Sequence, residues 1–307
     1  QTNETWEFAI RMYQDIVVAA GRTLTIKCDV QMPPDGRILV EKGAKLIIDG
    51  GIVRSYHKGN RWKGIELVGN RNASANQTDQ GYVELKNGAI IEQANNGIRN
   101  FTWDNGAQGG GIIKATNSHF YNNWRSIELN DYEKFQASIN ISNCSFTIDD
   151  MSACKVGAPF ETQITSWAVK RGIKISNNTF KIELDDDTYL RKQRRAAIQT
   201  SKTGMSIQSN SFDGFSKGIY ASDYAGSADR PLTIYHNTFE NNTQAILVGA
   251  TAYSDIRNND ISKMYRFIPG GLAGYSDYAG HAYGIYLDFT NGSYIGCGNR
   301  IDGNAIG

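Results

Sequence analysis

The stretch Leu232-Thr233-Ile234-Tyr235-His236-Asn237-Thr238-Phe239, followed by Ala245-Ile246-Leu247-Val248, decides how the chain is read. Its frame is an apolar residue, an Asn three positions on, and a Phe or Ile five positions on. Ile175–Phe180, Ile207–Phe212 and Ile256–Ile261 share that frame. Looser copies run Ile141–Phe146, with Cys144 in place of Asn, and Ile113–Phe120, longer by two residues. Upstream, Ile16-Val17-Val18, Gly21 and Leu24-Thr25-Ile26 are answered 22 residues later by Ile38-Leu39-Val40, Gly43 and Leu46-Ile47-Ile48. Short apolar strands broken by turns at a fixed period mark a solenoid. The period is too short for most paired-helix repeats, and the Val, Ile, Thr and Phe content favours strands.

Two series of anchors alternate along the chain. The first is Ile52, Ile90, Phe120, Phe146, Phe180, Phe212, Phe239, Ile261 and Ile301; the second is Ile65, Ile98, Ile127, Ile164, Ile198, Ile219, Ile246 and Ile285. The pattern predicts an all-β fold: a right-handed parallel β-helix of about ten coils, three short strands per coil, with long loops at one corner. Anchors stack inward like on like, and alternate residues face solvent. Asn178, Asn210, Asn237 and Asn259 then form a structural ladder at one tight corner. Asn tolerates the left-handed conformation such a corner needs, and its amide can bond along the stack. Residues 1–307 read as a single domain, with 1–15 a cap or first strand; Thr5–Tyr13 is open between a capping helix and a strand. Residues 293–306 begin another coil and stop inside it, so the expectation is a piece of a longer chain.

Composition narrows the function. A formal charge of +1 over 307 residues gives no argument for nucleic acid or an anionic membrane as partner. No apolar run approaches ~20 residues, which excludes membrane insertion by a helix. The start is not basic then apolar, so any secretion signal is expected to be already removed or omitted. Five prolines against 32 glycines fit many tight turns. Cys28, Cys144, Cys154 and Cys297 are scattered without a Cys-x-x-Cys pair, which argues against zinc. Cys144 is either half of a Cys144–Cys154 disulfide or a buried free thiol. The expectation is no metal and no cofactor; Asp185-Asp186-Asp187 is the one place considered for Ca²⁺.

The pattern Ile-x-x-Asn-x-Phe followed by Gly-Ile-x-Leu resembles the pectate-lyase-like right-handed β-helix superfamily, in its carbohydrate-binding and sugar-hydrolase repeat branch, over roughly residues 16–306. Gly43–Asp49 with Arg61-Trp62-Lys63-Gly64-Ile65-Glu66 is similar to large surface proteins of the type IX secretion system. The resemblance implies a secreted or bacterial cell-surface location and a sugar groove along the strand of the second anchor. It implies fold more than activity, because the superfamily holds lyases, hydrolases, epimerases and non-catalytic adhesins.

The outer face of that strand is then legible. One position past each anchor come Glu66, Arg99, Glu128, Thr165, Gln199, Tyr220, Leu247 and Tyr286; three past come, among others, Asn130, Trp167, Ser201, Ser222 and Asp288; three before come, among others, Trp62, Trp124, Glu161 and Arg195. One patch is Glu66–Arg99–Glu128 with Trp62 and Trp124 beside it. Its carboxylates lie two coils apart, on the order of 9–10 Å, near the upper limit of an inverting glycosidase pair; the alternative is a charge ladder neutralised by Arg99. A second patch follows from loop lengths. Phe146–Ile164 and Phe180–Ile198 span 18 residues and Ile261–Ile285 spans 24, whereas Phe212–Ile219 and Phe239–Ile246 span seven. Two tall walls should therefore flank a low floor. The walls carry Arg195, Tyr278 and His281, residues that suit an acidic glycan through stacking and bidentate carboxylate contacts; a solvated loop is the alternative for 183–195. Gly-His-Gly, Arg-Ile-Lys and Trp-Ile-Asp-His signatures of sugar-cleaving β-helices are missing, and no catalytic residue is assigned. The reading is a non-catalytic module that binds a polysaccharide or cell-surface glycan, or serves as an adhesin stalk. Against it stand a polysaccharide lyase or hydrolase and a protein-adhesion scaffold. Candidate binding residues are Trp62, Glu66, Arg99, Trp124, Glu128, Arg195, Gln199, Tyr220, Tyr278, His281, Tyr286 and Asp288.

Overall fold

A computed structural model describes residues 3–57, 59–102, 104, 109–149, 161–183, 196–222, 229–249, 254–264, 283–288 and 293–302. Their strands form three all-parallel sheets of 11, 11 and 10 strands, each strand pairing with its counterpart one coil away. This is the right-handed parallel β-helix that the repeat predicts. The first sheet includes Thr23–Ile26, Leu232–Tyr235 and Ser254–Arg257; the second, Asp29–Met32, Thr179–Ile182 and Thr238–Glu240; the third, Ile16–Val18, Trp62–Leu67, Ala196–Ser201 and Tyr283–Asp288. The Thr5–Tyr13 segment resolves to strands, Glu4–Trp6 and Ile10–Arg11.

The core is built from columns. On the third sheet Ile16, Ile38, Ile65, Ile98, Ile127, Ile164, Ile198, Ile219, Ile246 and Ile285 stack in register. Each fully buried Ile contributes about 1.5–3 kcal/mol relative to exposure. On the second sheet Phe120, Phe146, Phe180, Phe212 and Phe239 lie face to face with centroids 4.7, 4.6, 4.9 and 4.8 Å apart. Those distances are the strand spacing itself, so the parallel ladder imposes the stacked geometry. The column continues upstream through Ile91 and Val53, not through Ile90 and Ile52. The sequence offers two adjacent apolar residues at both places, and the inward one is the second of each pair.

The asparagine ladder is fully hydrogen-bonded. Asn178, Asn210, Asn237 and Asn259 are buried. Each backbone N–H and each Nδ2 donates to the Oδ1 of the next ladder residue, 2.9–3.0 Å, ending on Asn299. Each Nδ2 also donates to an Ile carbonyl of the preceding coil. The left-handed conformation falls one residue earlier than the sequence reading placed it, at Asn143, Asn177, Ser209, His236 and Asn258, with φ of 54–58°. The preceding residue makes the turn, which frees the ladder side chain to point inward. Cys144 closes the ladder: its N–H donates to Asn178 Oδ1 and its thiol to the Ser142 carbonyl. It stands as a free buried thiol; Cys154 lies outside the described residues. A shorter copy of the device joins the second and third sheets. There Asn123 Oδ1 accepts from Ala94 N–H and Asn242 Oδ1 from Phe215 N–H.

Candidate functional site

The third sheet carries the candidate site, and a local irregularity sets which of its residues face out. Between Asn96 and Arg125, and again between Lys217 and Gln244, the register skips one residue before the Ile column. The skipped residues, among them Ser126, Ala197 and Ala245, are buried. Residues two before and one after each Ile therefore share the outer face, an i, i+3 pairing within a strand. Asn96 with Arg99, Arg125 with Glu128 and Lys217 with Tyr220 make direct contacts of this kind.

The same irregularity overturns one candidate. Opposite Asn96–Ile98 the earlier strand advances only from Gly64 to Ile65, and Trp62 pairs with Ala94 at the corner. Trp62 is therefore 0% exposed, inside the core, with its Nε1–H donating to the Glu92 carbonyl at 2.8 Å. It cannot stack on a sugar. Gly64 makes this possible: its φ is +113°, and a Cβ there would lie 1.5 Å from the Asn96 carbonyl oxygen.

Glu66, Arg99 and Glu128 come together as a charge ladder. Arg37 holds Glu66 at 2.8 Å, Asp104 at 2.7 Å and Asp15 at 3.1 Å. Arg99 lies 3.6 Å from Glu66 and 3.9 Å from Glu128, and Arg125 pairs with both Glu128 and Glu161. Glu66 is only 3% exposed. The Arg99 guanidinium lies between the two carboxylates, where an inverting glycosidase pair needs room for a water, so that geometry is not built here. Burial pushes the Glu128 carboxyl above its ordinary range against the pull of Arg125 and Arg99. It pulls the Arg99 guanidinium below its usual value. Trp124 is half-buried with the Arg125 guanidinium 4.7 Å over its ring, which takes up one indole face.

Further along the same sheet the face changes character. Register places the short runs after Phe212 and Phe239 between the coils that carry segments 184–195 and 265–282. Thr165, Gln199, Tyr220, Leu247 and Tyr286 stand in one outward column. Beside it runs a second, Asn130, Trp167, Ser201, Ser222 and Gly249. Gln199, Tyr220 and Tyr286 are half-buried, and the Lys217 ammonium sits 4.5 Å over the Tyr220 ring. Trp167 is 49% exposed, the largest side chain on this face to be so open. The sequence reading named it as outward but did not select it; its position three past Ile164 was the available signal. On the row of Lys217, Gln244 is 7% exposed and its Oε1 has no hydrogen-bond partner among the described residues. Arg195, Tyr278, His281 and Asp185–Asp187 lie outside the described residues, as does the side chain of Asp288. The expected groove walls are among them.

His57, His119 and His236 fall on separate coils, and His119 Nδ1 is bonded to Ser145 Oγ at 2.7 Å. Among the described residues no three His, Cys, Asp or Glu side chains stand close enough to share a metal, and no helix is long and apolar enough to cross a membrane. Residues 136–307 match the family described as periplasmic copper-binding protein (NosD). That description corrects the expectation that no cofactor is involved, since the family is defined by a metal. The described residues do not by themselves fit copper; a site of three or more such ligands has to include residues outside them. No curated protein and no solved structure matches. With more than half of its 307 residues matched, and with three parallel sheets wound as a β-helix, the chain belongs to the NosD family.

Proposed function

We propose that the chain is a non-catalytic, extracytoplasmic β-helix module that binds an extended glycan on the outer face of its third sheet. The observation that carries this reading is Trp167, half open to solvent beside the outward column of Thr165, Gln199, Tyr220, Leu247 and Tyr286. An exposed indole offers a flat apolar surface to the C–H face of a pyranose, and neighbouring Gln and Ser side chains bond its hydroxyls. The periplasmic description of the family supports an extracytoplasmic place. The similarity of Gly43–Asp49 and Arg61–Glu66 to type IX secreted proteins supports a cell-surface one. The charge ladder at Glu66–Glu161 supports a non-catalytic role, because its carboxylates are engaged by arginines.

Titration of the purified chain with acidic and neutral polysaccharides, followed by Trp fluorescence and calorimetry, tests the reading. Binding that Trp167→Ala weakens about tenfold is the expected result, for a lost stacking platform of about 1–1.5 kcal/mol. Binding unaffected by that change, or no binding to any glycan at millimolar concentration, contradicts it. Release of unsaturated or reducing sugar ends would move the chain to the lyase or hydrolase class.

A further inference from the structure

Resting on the glycan reading, we infer that the ligand is gripped at one neutral hexopyranose ring stacked on Trp167, and not by a row of sugar subsites along the solenoid. The state of the aromatic rings on the third sheet carries this. Trp124 has the Arg125 guanidinium 4.7 Å over its ring, Tyr220 has the Lys217 ammonium at 4.5 Å, and Tyr286 is engaged as well. Trp167 is 49% exposed and, among the described third-sheet residues, is the one ring with an uncovered face. Its register column runs Asn130, Trp167, Ser201, Ser222, Gly249 and Asp288, so no second ring follows it on the later coils. One platform grips one ring, and the gain that comes from linking several platforms is not open to a longer chain. The other sugars of a longer glycan lie over the sheet without adding a stacking contact.

The surroundings of Trp167 select the class of ring. Asn130 and Ser201 flank it in register on the coils either side, at the parallel-strand spacing of about 4.8 Å. A pyranose centred on the indole spans that distance, which brings its rim hydroxyls to the half-buried Ser201 hydroxyl. Thr165 and Gln199, in the neighbouring column, are neutral too. The remaining diagonal neighbour in that column, Glu128, is held by Arg125, and Lys170 at the corner beyond is paired with Asp229 at 3.0 Å. These charges already have partners of opposite sign, which leaves stacking and hydroxyl contacts to hold the sugar. A ring whose substituents are all equatorial, as in β-linked glucose, presents an unbroken C–H face to the indole.

The test uses the 307-residue chain and β-1,4-linked glucose oligosaccharides of two, four and six units in calorimetric titrations at low and high salt. The dissociation constant is expected to stay within about threefold from the disaccharide to the hexasaccharide, and to be unchanged by salt. Trp167→Ala should weaken all three lengths by the same factor, about tenfold, and Trp167→Tyr should restore part of the loss. An affinity that climbs about tenfold or more with length, or that falls with salt, overturns the single-ring inference and leaves the glycan reading standing. So does binding of a β-1,4-linked mannuronate hexasaccharide through Trp167 when the glucose series does not bind. Binding of no glycan at all sinks both. Circular dichroism of each variant, matched to the wild type, ties a loss to the surface and not to misfolding.

Discussion

Replacing Asn210 by Ala removes an oxygen that two donors of Asn178 share and an amide that serves Asn237 and the Ile175 carbonyl. Each buried group left without a partner costs about 1–3 kcal/mol, so urea unfolding of Asn210→Ala should show a loss of about 3 kcal/mol with the fold retained. The corresponding change at exposed Asn143 leaves no buried group without a partner and should cost less, about 1–2 kcal/mol, from the strain of Ala at a φ of 54°. Cys144 makes a second check at this scale. Burial pushes its thiol from the ordinary 9.0 up to about 11. The folded chain therefore keeps the proton that the unfolded chain loses above pH 9, and stability declines as pH rises through that interval. In the native state Cys144 should resist alkylation at pH 8 while exposed Cys297 reacts; mass spectrometry of the labelled chain reads the difference. The ladder asparagines were legible because the same residue recurs at the same place in the frame. Which residue takes the left-handed turn was not, because it is Asn at 143, 177 and 258 but Ser209 and His236 on the coils between, and at each place a second Asn or Cys144 stands next to it.

At the scale of elements, the phenylalanine column and the charge ladder make opposite use of the same spacing. Phe180 packs between two rings, and Phe180→Ala should lower stability by about 3–5 kcal/mol in chemical unfolding. Arg99 is the cation common to Glu66 and Glu128. Its removal leaves buried carboxylates short of charge compensation, so Arg99→Ala should cost about 3–5 kcal/mol, whereas the double change Arg99→Met/Glu66→Met should cost less. Glu128 adds a pH signature. Its carboxyl is raised by burial, so the folded state holds its proton over a window where the unfolded state has released it. Stability falls as pH rises through that window. The gap between wild type and Glu128→Gln should change across the same window and be flat above it. Alternation along strands identified the Ile column, yet Ile52 and Ile90 were chosen where Val53 and Ile91 face inward. Adjacent apolar residues carry no phase of their own. Trp62 failed for a related reason: one skipped residue opposite Gly64 moves it from the outer face to the corner, and no count of positions from Ile65 reveals the skip.

At the scale of the whole molecule, the period of the repeat was enough for architecture, because stacking like on like is the only way such short strands bury their apolar faces. Function was less legible. A solenoid spreads its surface chemistry over many coils, so each candidate is one residue among several equivalent positions. The structure sorts them: Trp62 inward, Glu66 and Glu128 engaged by Arg37, Arg99 and Arg125, and Gln199, Tyr220 and Tyr286 outward beside the open Trp167. On the proposed reading, ligand lies on the third sheet and on neither of the others. Oxidative footprinting with a saturating concentration of a polysaccharide that the chain binds in titration tests this placement. Protection of Trp167 and Tyr220 is expected, with Tyr235 of the first sheet and Tyr121 of the second oxidised as fast as in the free chain. Protection of Tyr235 or Tyr121 with Trp167 unchanged would contradict it.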